Sequence, residues 1–404
     1  MKQTLLVASL IALSVVGCGK KEEASTTTSS TTTTPATPAP APAPVAAAEE
    51  VVKIGHVAPI SGAQAHLGKD NENGAVMAID ELNAKGVMID GKKVKFELLK
   101  EDDGAVPEQG ASVAQKLVDA KVNGVIGHLN SGTTIPASKI YSAAGIPQIS
   151  PSATNPTYTQ QGFKTAFRVC ANDAQIGSVL GKYAVDTMKD KKIALIDDKS
   201  AYGEGIASEF KKGAEAAGAK VVATEHTNDK ATDFQAILTN VKGKKPDVVF
   251  YGGMDAQAGP MLRQMKQLGI NAKFMGGDGI CSTSLKDLAG DGMTNGNVIC
   301  AEAGGIPKGK EGPMDDFKAK YKAKFGTDVE IYAPYVYDAV MVMADAMVKA
   351  KSSDPAVYLP FLAKEDYDGI TGHIAFDDKG DIKNGAMTLY TYKDGKKEVL
   401  EVVR

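Results

Sequence analysis

Short apolar runs alternate with longer segments in which apolar residues recur every three or four positions, from residue 51 almost to the end of the chain. The short runs have the length of buried strands, and the longer segments have the spacing of amphipathic helices. The apolar runs predict strands over residues 51–59, 94–100, 124–127, 192–197, 220–226 and 247–251. The amphipathic segments predict helices over residues 74–85, 108–121, 204–218, 234–242 and 260–268.

The repeated strand-helix-strand order predicts two α/β lobes. Such alternation is typical of mostly parallel sheets that helices cover on both faces. A break near residues 171–173 marks a first crossing between the lobes. The tail then predicts helices over residues 314–325 and 334–350 and strands over residues 373–376 and 388–393. We interpret this tail as a return to the first lobe, followed by an antiparallel hairpin that closes the second.

The first fifty residues have a different composition. Lys2 precedes an apolar run over residues 5–16 that ends in Gly17 and Cys18, the pattern of a lipoprotein signal peptide with Cys18 as the lipidated residue. A transmembrane anchor is the alternative, but such a helix needs about 20 apolar residues. Residues 19–50 are rich in Thr, Ser, Pro and Ala and predict a disordered tether. We therefore expect a periplasmic protein that contacts a membrane through its lipid alone.

The remaining chain is long enough for two domains. We place the first lobe in residues 51–172 and 302–373, and the second lobe in residues 173–301 and 374–404. The net charge is −3 and no basic stripe is present. Nucleic acid is therefore excluded as a partner, because its phosphates require a basic surface.

Three cysteines remain after the predicted lipidation site. An odd number in an exported protein allows at most one disulfide within the chain. Cys281 and Cys300 flank a helix-like segment and the strand that follows it, so we predict a bridge between them. Two buried free thiols are the alternative. Cys170 lies in an apolar context and is predicted to be a core thiol.

Small hydroxyl residues follow the predicted strands of the first half. Ligands of open parallel sheets bind beyond the carboxyl ends of the strands, and the loops there contain Ser131 and Thr154. Hydroxyl and backbone N–H groups at helix N-termini can hold a carboxylate, although both residues could merely cap helices. In the second half, Asp278 stands between glycines and could receive an ammonium group or form a turn. Together these groups suit a zwitterion.

Sequence motifs for catalysis are missing. No GxGxxG follows a first strand, no Walker-type Gly-Lys-Ser/Thr occurs, and no Gly-x-Ser-x-Gly elbow occurs. The five histidines stand singly, without the spacing of metal ligands. We therefore expect a protein that is not an enzyme and that uses neither a metal nor a cofactor.

The loops resemble those of the periplasmic leucine/isoleucine/valine-binding proteins, the solute receptors of branched-chain amino-acid ABC importers. The resemblance extends over residues 51–404 and keeps the order of the segments. The segments that carry it are residues 54–62, GHLNSGTT at 127–134, ISPSATNP at 149–156, 167–168, DDKSAYGEG at 197–205, FYGG at 250–253, FMGGDG at 274–279 and 371–381.

The resemblance implies a type I periplasmic binding fold, with two Rossmann-like lobes joined by three crossings around a hinged cleft. It implies that Ser131 and Thr154 hold the α-carboxylate of an amino acid together with backbone N–H groups. The α-amino group would be held by Thr154, the carbonyl of Ser152 and Asp278. Tyr202 would close over the ligand from the second lobe. The near wall of the pocket would be formed by Leu129 and Ala153.

Three positions depart from the best-known members of that family. Asp278 is one methylene shorter than their glutamate. Met254 replaces an aromatic wall, and Leu67 replaces an aromatic cap. Both replacements are apolar, so an aliphatic ligand side chain in a roomier pocket is expected.

The expected function is that of an ABC-importer substrate-binding protein. It would capture leucine, isoleucine or valine and deliver it to a permease and ATPase complex in the inner membrane, acting as a monomer. The alternative is a sensor or receptor of the same fold for an amide, a short-chain acid, urea or an aromatic acid.

Overall fold

The structure is a computed structural model that describes residues 28, 49–304, 312–383 and 385–403. The predicted signal peptide with Cys18 lies outside the described residues, as does nearly all of the predicted tether. In the described part of the chain, no helix is both long enough and apolar enough to cross a membrane.

A six-stranded sheet forms the first lobe. Its strands are β1 (Glu50–Ala58), β2 (Met88–Ile89), β3 (Lys92–Asp102), β4 (Gly124–Gly127), β5 (Gln148–Ser150) and β6 (Ala166–Arg168). Their spatial order is β2-β3-β1-β4-β5-β6, and only β2 runs antiparallel to its neighbour. The central strand β4 is buried along its whole length, as expected for a parallel strand covered on both faces.

A seven-stranded sheet forms the second lobe. Its strands are β7 (Lys192–Asp197), β8 (Lys220–His226), β9 (Val248–Gly252), β10 (Lys273–Gly276), β11 (Val298–Ala303), β14 (Met387–Lys393) and β15 (Lys396–Val403). Their order is β15-β14-β11-β10-β9-β7-β8, with β14 and β15 antiparallel at one edge. The short strands β12 (Asp366–Gly369) and β13 (Gly372–Ala375) pair separately with each other.

Helices connect the strands and cover both sheets. They are α1 (Ala65–Lys85), α2 (Pro107–Asp119), α3 (Ser131–Ala143), α4 (Thr157–Gln160), α5 (Asp173–Lys182), α6 (Ala201–Ala216), α7 (Gln235–Lys244), α8 (Asp255–Gln267), α9 (Leu285–Ala289), α10 (Gly312–Phe325), α11 (Ala333–Ala350) and α12 (Pro355–Leu362). Helices α1 and α11 pack against each other on the first sheet, so the chain returns there after β11.

Helix α1 is longer than the helix predicted over residues 74–85, since it begins at Ala65. A run of polar residues hides its first turns from the apolar pattern, yet these side chains are buried: Asp70, Asn71, Glu72 and Asn73. The run is buried because α11 comes very close to it. A Cβ on Gly74 would lie 2.3 Å from the carbonyl oxygen of Ala333.

The predicted hairpin between residues 373–376 and 388–393 is wrong. Strand β13 pairs with β12, whereas β14 pairs with β11 and β15. The turn after β13 is instead tied to β6, because the carbonyl of Gly380 accepts a hydrogen bond from Arg168 N at 2.9 Å. The antiparallel hairpin that closes the second lobe is formed by β14 and β15.

The second lobe contains a disulfide. Cys281 and Cys300 are bridged, with their Cα atoms 5.5 Å apart, so that the turn after β10 is linked to β11. Cys170 is a buried free thiol. Its burial raises the pKa of this thiol and keeps it in the unreactive protonated form.

Candidate functional site

The carboxyl ends of strands from both sheets meet around a small cavity. First-lobe loops after β4 and β5 form one side of it, and α6 with the loops after β9 and β10 forms the other. The lining residues are Leu129, Asn130, Ser131, Ser152, Tyr202, Met254, Asp278 and Tyr332. This is the position at which open parallel sheets bind ligands.

Neutral hydroxyls form the first-lobe side. Ser131 is the first residue of α3, and its Oγ accepts a hydrogen bond from Asn155 N at 3.2 Å. Ser152 Oγ donates to the carbonyl of Leu129 at 3.0 Å. Ser150 lies behind them, where its Oγ accepts from Ala153 N at 2.9 Å. These bonds join the loop after β4 to the loop after β5, so the hydroxyls are held in place before a ligand arrives.

Thr154 is buried beside this cavity and does not line it. Its Oγ1 lies near the buried carboxyl group of Asp173 but makes no hydrogen bond of normal geometry with a residue that the structure describes. The guanidinium of Arg168 fixes both neighbouring residues, because Nη1 donates to the carbonyls of Ala153 at 2.7 Å and Asn155 at 3.0 Å. Arg168 is itself paired with Asp381 at 2.6 Å. An ion pair whose guanidinium is fully buried thus holds the Thr154 loop.

Among the residues that line the cavity, one carboxylate faces the hydroxyls from the second lobe. Asp278 is 2% exposed, and its Oδ1 accepts a hydrogen bond from Tyr202 Oη at 2.9 Å. Its Oδ2 accepts one from Tyr332 Oη at 2.8 Å. Burial raises the pKa of Asp278 to about 6, although the two phenols act against the rise. A buried carboxylate with only two neutral donors retains acceptor capacity for a cation.

Tyr332 reaches the cavity from the first lobe and was missed in the sequence. It occupies the N-cap position of α11, where Ser, Thr, Asp or Asn is usual. A distant carboxylate takes over the capping role. Asp70 accepts bonds from the backbone N–H of Tyr332 at 2.7 Å and of Ala333 at 2.9 Å. The sequence signal that could have identified Tyr332 is a tyrosine two residues before Pro334, at a helix start without a capping residue of its own.

Six of the nine predicted ligand-binding residues line the cavity: Leu129, Ser131, Ser152, Tyr202, Met254 and Asp278. Leu67, Ala153 and Thr154 do not line it. Leu67 is fully buried and belongs to the same large apolar cluster as Leu129 and Met254. Asn130 lines the cavity and was also missed. Its Nδ2 donates to Gln64 Oε1 at 2.7 Å.

A wider groove lies elsewhere on the first lobe, near the start of β1. It is lined by Glu50, Val118, Asn123 and Asp354, among others. We do not assign it a ligand, because it lies at the amino ends of the parallel strands, away from the loops that bind ligands in such sheets. In the described part of the chain, no three His, Cys, Asp or Glu residues are grouped so that they could hold a metal ion.

Two relatives are similar over most of their length. Leu/Ile/Val-binding protein homolog 1 of Brucella abortus is 39% identical over 345 residues, which are 85% of this chain and 91% of the relative. The leucine-, isoleucine-, valine-, threonine-, and alanine-binding protein of Pseudomonas aeruginosa is 36% identical, with the same shares covered.

A solved structure has the same fold. The branched-chain amino acid transporter substrate binding protein LivJ from Streptococcus pneumoniae, in complex with isoleucine, superposes with a TM-score of 0.80 at 32% identity. The match covers 88% of this chain and 99% of LivJ. The two lobes with their parallel sheets are therefore those of the type I periplasmic binding fold. The sequence profile of the periplasmic binding proteins matches residues 51–397, and the chain belongs to that family of substrate-binding proteins.

Proposed function

We propose that this protein captures an aliphatic branched-chain L-amino acid, namely leucine, isoleucine or valine, for an ABC importer. The observation that carries the proposal is the buried carboxylate of Asp278, which has only two phenol donors and faces neutral hydroxyls across a small cavity. A zwitterion satisfies both sides, because its ammonium group pairs with the carboxylate and its own carboxylate needs donors. The names of the two relatives and of LivJ support the same ligand class.

The proposal assigns separate contacts to the ammonium group, the carboxylate and the side chain of the ligand. Asp278, the carbonyl of Ser152 and the hydroxyl of Thr154 hold the ammonium group. Ser131 Oγ, Thr154 Oγ1 and backbone N–H groups hold the carboxylate, which agrees with the unpartnered Oγ1 of Thr154 beside the cavity. The aliphatic side chain contacts Leu129 and Met254 where they line the cavity. Ala153 and Leu67, which are buried and do not line it, complete the apolar wall in this proposal.

Binding is coupled to hinge closure. We propose that the lobe of residues 51–172 with 302–373 moves against the lobe of residues 173–301 with 374–404 about the three crossings between them, with the turn that contains Gly380 and Asp381 held to the first lobe by Arg168. A zwitterion that touches Ser131 in the first lobe and Asp278 in the second stabilises the closed form alone. Tyr202 then covers the ligand from the second lobe, and the closed form is the one delivered to a permease and ATPase complex.

The chain is proposed to work as a periplasmic monomer that needs no cofactor. Lipidation at Cys18 followed by the tether of residues 19–50 would attach it to a membrane. Metabolic labelling with a radioactive fatty acid tests this part of the proposal. The full-length protein should incorporate the label, and the variant Cys18→Ser should not.

Calorimetric titration tests the ligand. The protein without residues 1–48 is unfolded in denaturant to remove any bound solute, refolded, and titrated with leucine, isoleucine and valine. The same protein is titrated with an amide, a short-chain acid, urea and an aromatic acid. Saturable binding of the aliphatic amino acids alone supports the proposal. Binding of another class, with silence towards all three amino acids, favours the alternative sensor or receptor and overturns it.

A further inference from the structure

A histidine and an aspartate from different lobes contact each other outside the cavity. His66 lies in the first turn of α1 on the first lobe, and Asp255 is the first residue of α8 on the second lobe. His66 Nε2 donates to Asp255 Oδ2 at 2.7 Å. Neither side chain lines the cavity.

The two partners of this contact differ in their exposure to solvent. The side chain of His66 is 28% exposed, whereas that of Asp255 is fully buried. Asp255 also accepts a hydrogen bond from Ser282 Oγ, and its Oδ1 has no partner among the described residues. A buried carboxylate with so few donors gains from a cationic partner, because loss of that partner leaves its charge uncompensated.

The charges around His66 are mostly negative. Partial burial alone would lower the pKa of His66, but its hydrogen bond to Asp255 and the charge of that residue outweigh burial and raise it. Glu330, ahead of α11, and Asp70, on the same helix, act in the same direction. The neighbouring cation Lys69 is paired with Glu72 at 2.6 Å. The imidazolium form is therefore favoured where the lobes meet.

Other contacts cross between the lobes nearby and are independent of the protonation of an imidazole. Asn155 Nδ2 donates to the carbonyl of Ala201 at 2.5 Å. Glu330 accepts from the Oγ of Ser284 at 2.5 Å and from its backbone N at 3.1 Å. Among these contacts, His66 with Asp255 is the one with a group whose ordinary pKa, about 6.5, lies near neutrality.

We infer that His66 and Asp255 form a proton-dependent contact between the lobes, which strengthens ligand binding by stabilising the closed form. The inference rests on the proposed function, because it requires a ligand that closes the cleft. His66 is thus a positioning residue: it acts through the closed form and leaves the contacts of the bound molecule unchanged.

The sign of the pH dependence follows from the direction of the pKa shift. The contact raises the pKa of His66 above its ordinary value. Opening of the cleft would break the contact and return the pKa towards that value. The added stability is therefore fully present below the ordinary pKa, and it is lost as the pH rises through the raised value. Ligand binding takes up protons at His66 between these two values.

Leucine binding to three proteins tests the inference between pH 5.5 and 8.5. The variant His66→Gln removes the titrating group. The matched control is His226→Gln, because His226 Nδ1 donates to Asp197 Oδ2 at 2.8 Å within one lobe. We expect His66→Gln to bind leucine about tenfold more weakly than the wild type at pH 6, and the difference to fade by pH 8.5. The loss should appear as faster leucine dissociation in stopped-flow measurements.

NMR titration of the imidazole signals separates this inference from the proposed function. We expect the pKa of His66 to rise when a bound solute closes the cleft, and this rise to be lost in Asp255→Asn. If leucine does not bind but another solute of the calorimetric panel raises the pKa of His66 in this way, the proposed function fails and the contact stands. If leucine binds equally tightly to wild type and His66→Gln at every pH, the contact is overturned and the function stands. A pKa of His66 that does not change when the wild type is saturated with a solute that binds likewise overturns the contact.

Discussion

Two buried carboxylates accept hydrogen bonds from Tyr332. Asp70 accepts one from the backbone N–H of Tyr332, and Asp278 accepts one from the phenol of the same residue. Asp70 accepts hydrogen bonds from four successive backbone N–H groups and from Tyr321 Oη, at distances from 2.7 to 3.1 Å. Asp278 accepts hydrogen bonds from two phenols. Burial raises the pKa of both carboxyl groups.

The difference between these acids separates a structural carboxylate from one that binds a ligand. Asp70 is surrounded by donors that belong to the start of α11, so its charge is used to cap that helix. Asp278 accepts hydrogen bonds from side chains alone and faces a cavity, so it can accept a further hydrogen bond from a ligand. The degree of burial does not distinguish the two acids, since each is 2% exposed.

The largest effect is expected from Asp70→Ala. Removal of this acceptor leaves several buried N–H groups without a partner, so the free energy of unfolding should fall by at least about 3 kcal/mol. Denaturant unfolding followed by circular dichroism measures the change. Asp80→Ala is the matched control, because Asp80 lies on the same helix with its side chain 57% exposed. Equal stability of the two variants would contradict the structural role of Asp70.

Asp278→Ala is expected to separate binding from stability. Without the carboxylate the ligand ammonium loses its charged partner, so affinity for leucine should fall at least about 30-fold, or about 2 kcal/mol. The free energy of unfolding should stay close to that of the wild type. Calorimetry and denaturant unfolding measure the two quantities, and Asp287→Ala, at an exposed position of the same lobe, is the control. Retained affinity in Asp278→Ala would remove the basis for the proposed ligand.

The pH dependence of the affinity for leucine tests whether Asp278 is the carboxylate that binds the ligand. Asp278 must be ionised to pair with an ammonium group, and burial raises its pKa to about 6. Affinity for leucine should therefore be constant above about pH 7 and fall about tenfold per pH unit well below pH 6. The measurement is made in the His66→Gln background, which removes the opposite contribution of His66. In that background, adding Asp278→Asn should leave weak binding without a pH dependence, and a persisting slope would assign the titration to another group.

The smallest effects are expected from the two phenols. Tyr332→Phe and Tyr202→Phe each remove one hydrogen bond to Asp278 and should weaken leucine binding about fivefold. The midpoint of the pH profile should also rise, because each phenol acts against the rise in the pKa of Asp278. Stability should change little in Tyr332→Phe, since the backbone N–H bonded to Asp70 is kept. A loss of stability as large as that of Asp70→Ala would show that the two acids are not independent.

Local patterns in the sequence predict one part of this site well. Ser131, Ser152 and Asp278 follow strands directly, so recognising the strands is enough to bring them to the cavity. The apolar runs identify those strands because parallel strands are buried on both faces. The same reasoning places Met254 after β9 and Tyr202 in the first turn of α6.

Long-range contacts explain what the sequence did not predict. Tyr332 reaches Asp278 because α1 and α11 pack closely on the first sheet, and Asp70 fixes it from a position 262 residues away in the chain. The polar residues of α1 that make this packing possible carry no apolar periodicity, so the sequence pattern does not identify them as helical. The pairing of β13 is hidden for a similar reason, because the turn after it is held by Arg168 in β6.

The buried thiol of Cys170 makes the folded protein suitable as a fluorescent reporter. Among the residues that the structure describes, it is the one cysteine outside the disulfide, and its burial keeps it from reacting with maleimides. A cysteine introduced at the rim of the cleft can therefore be labelled selectively in the protein without residues 1–48. An environment-sensitive dye at that position would report each closure of the lobes optically.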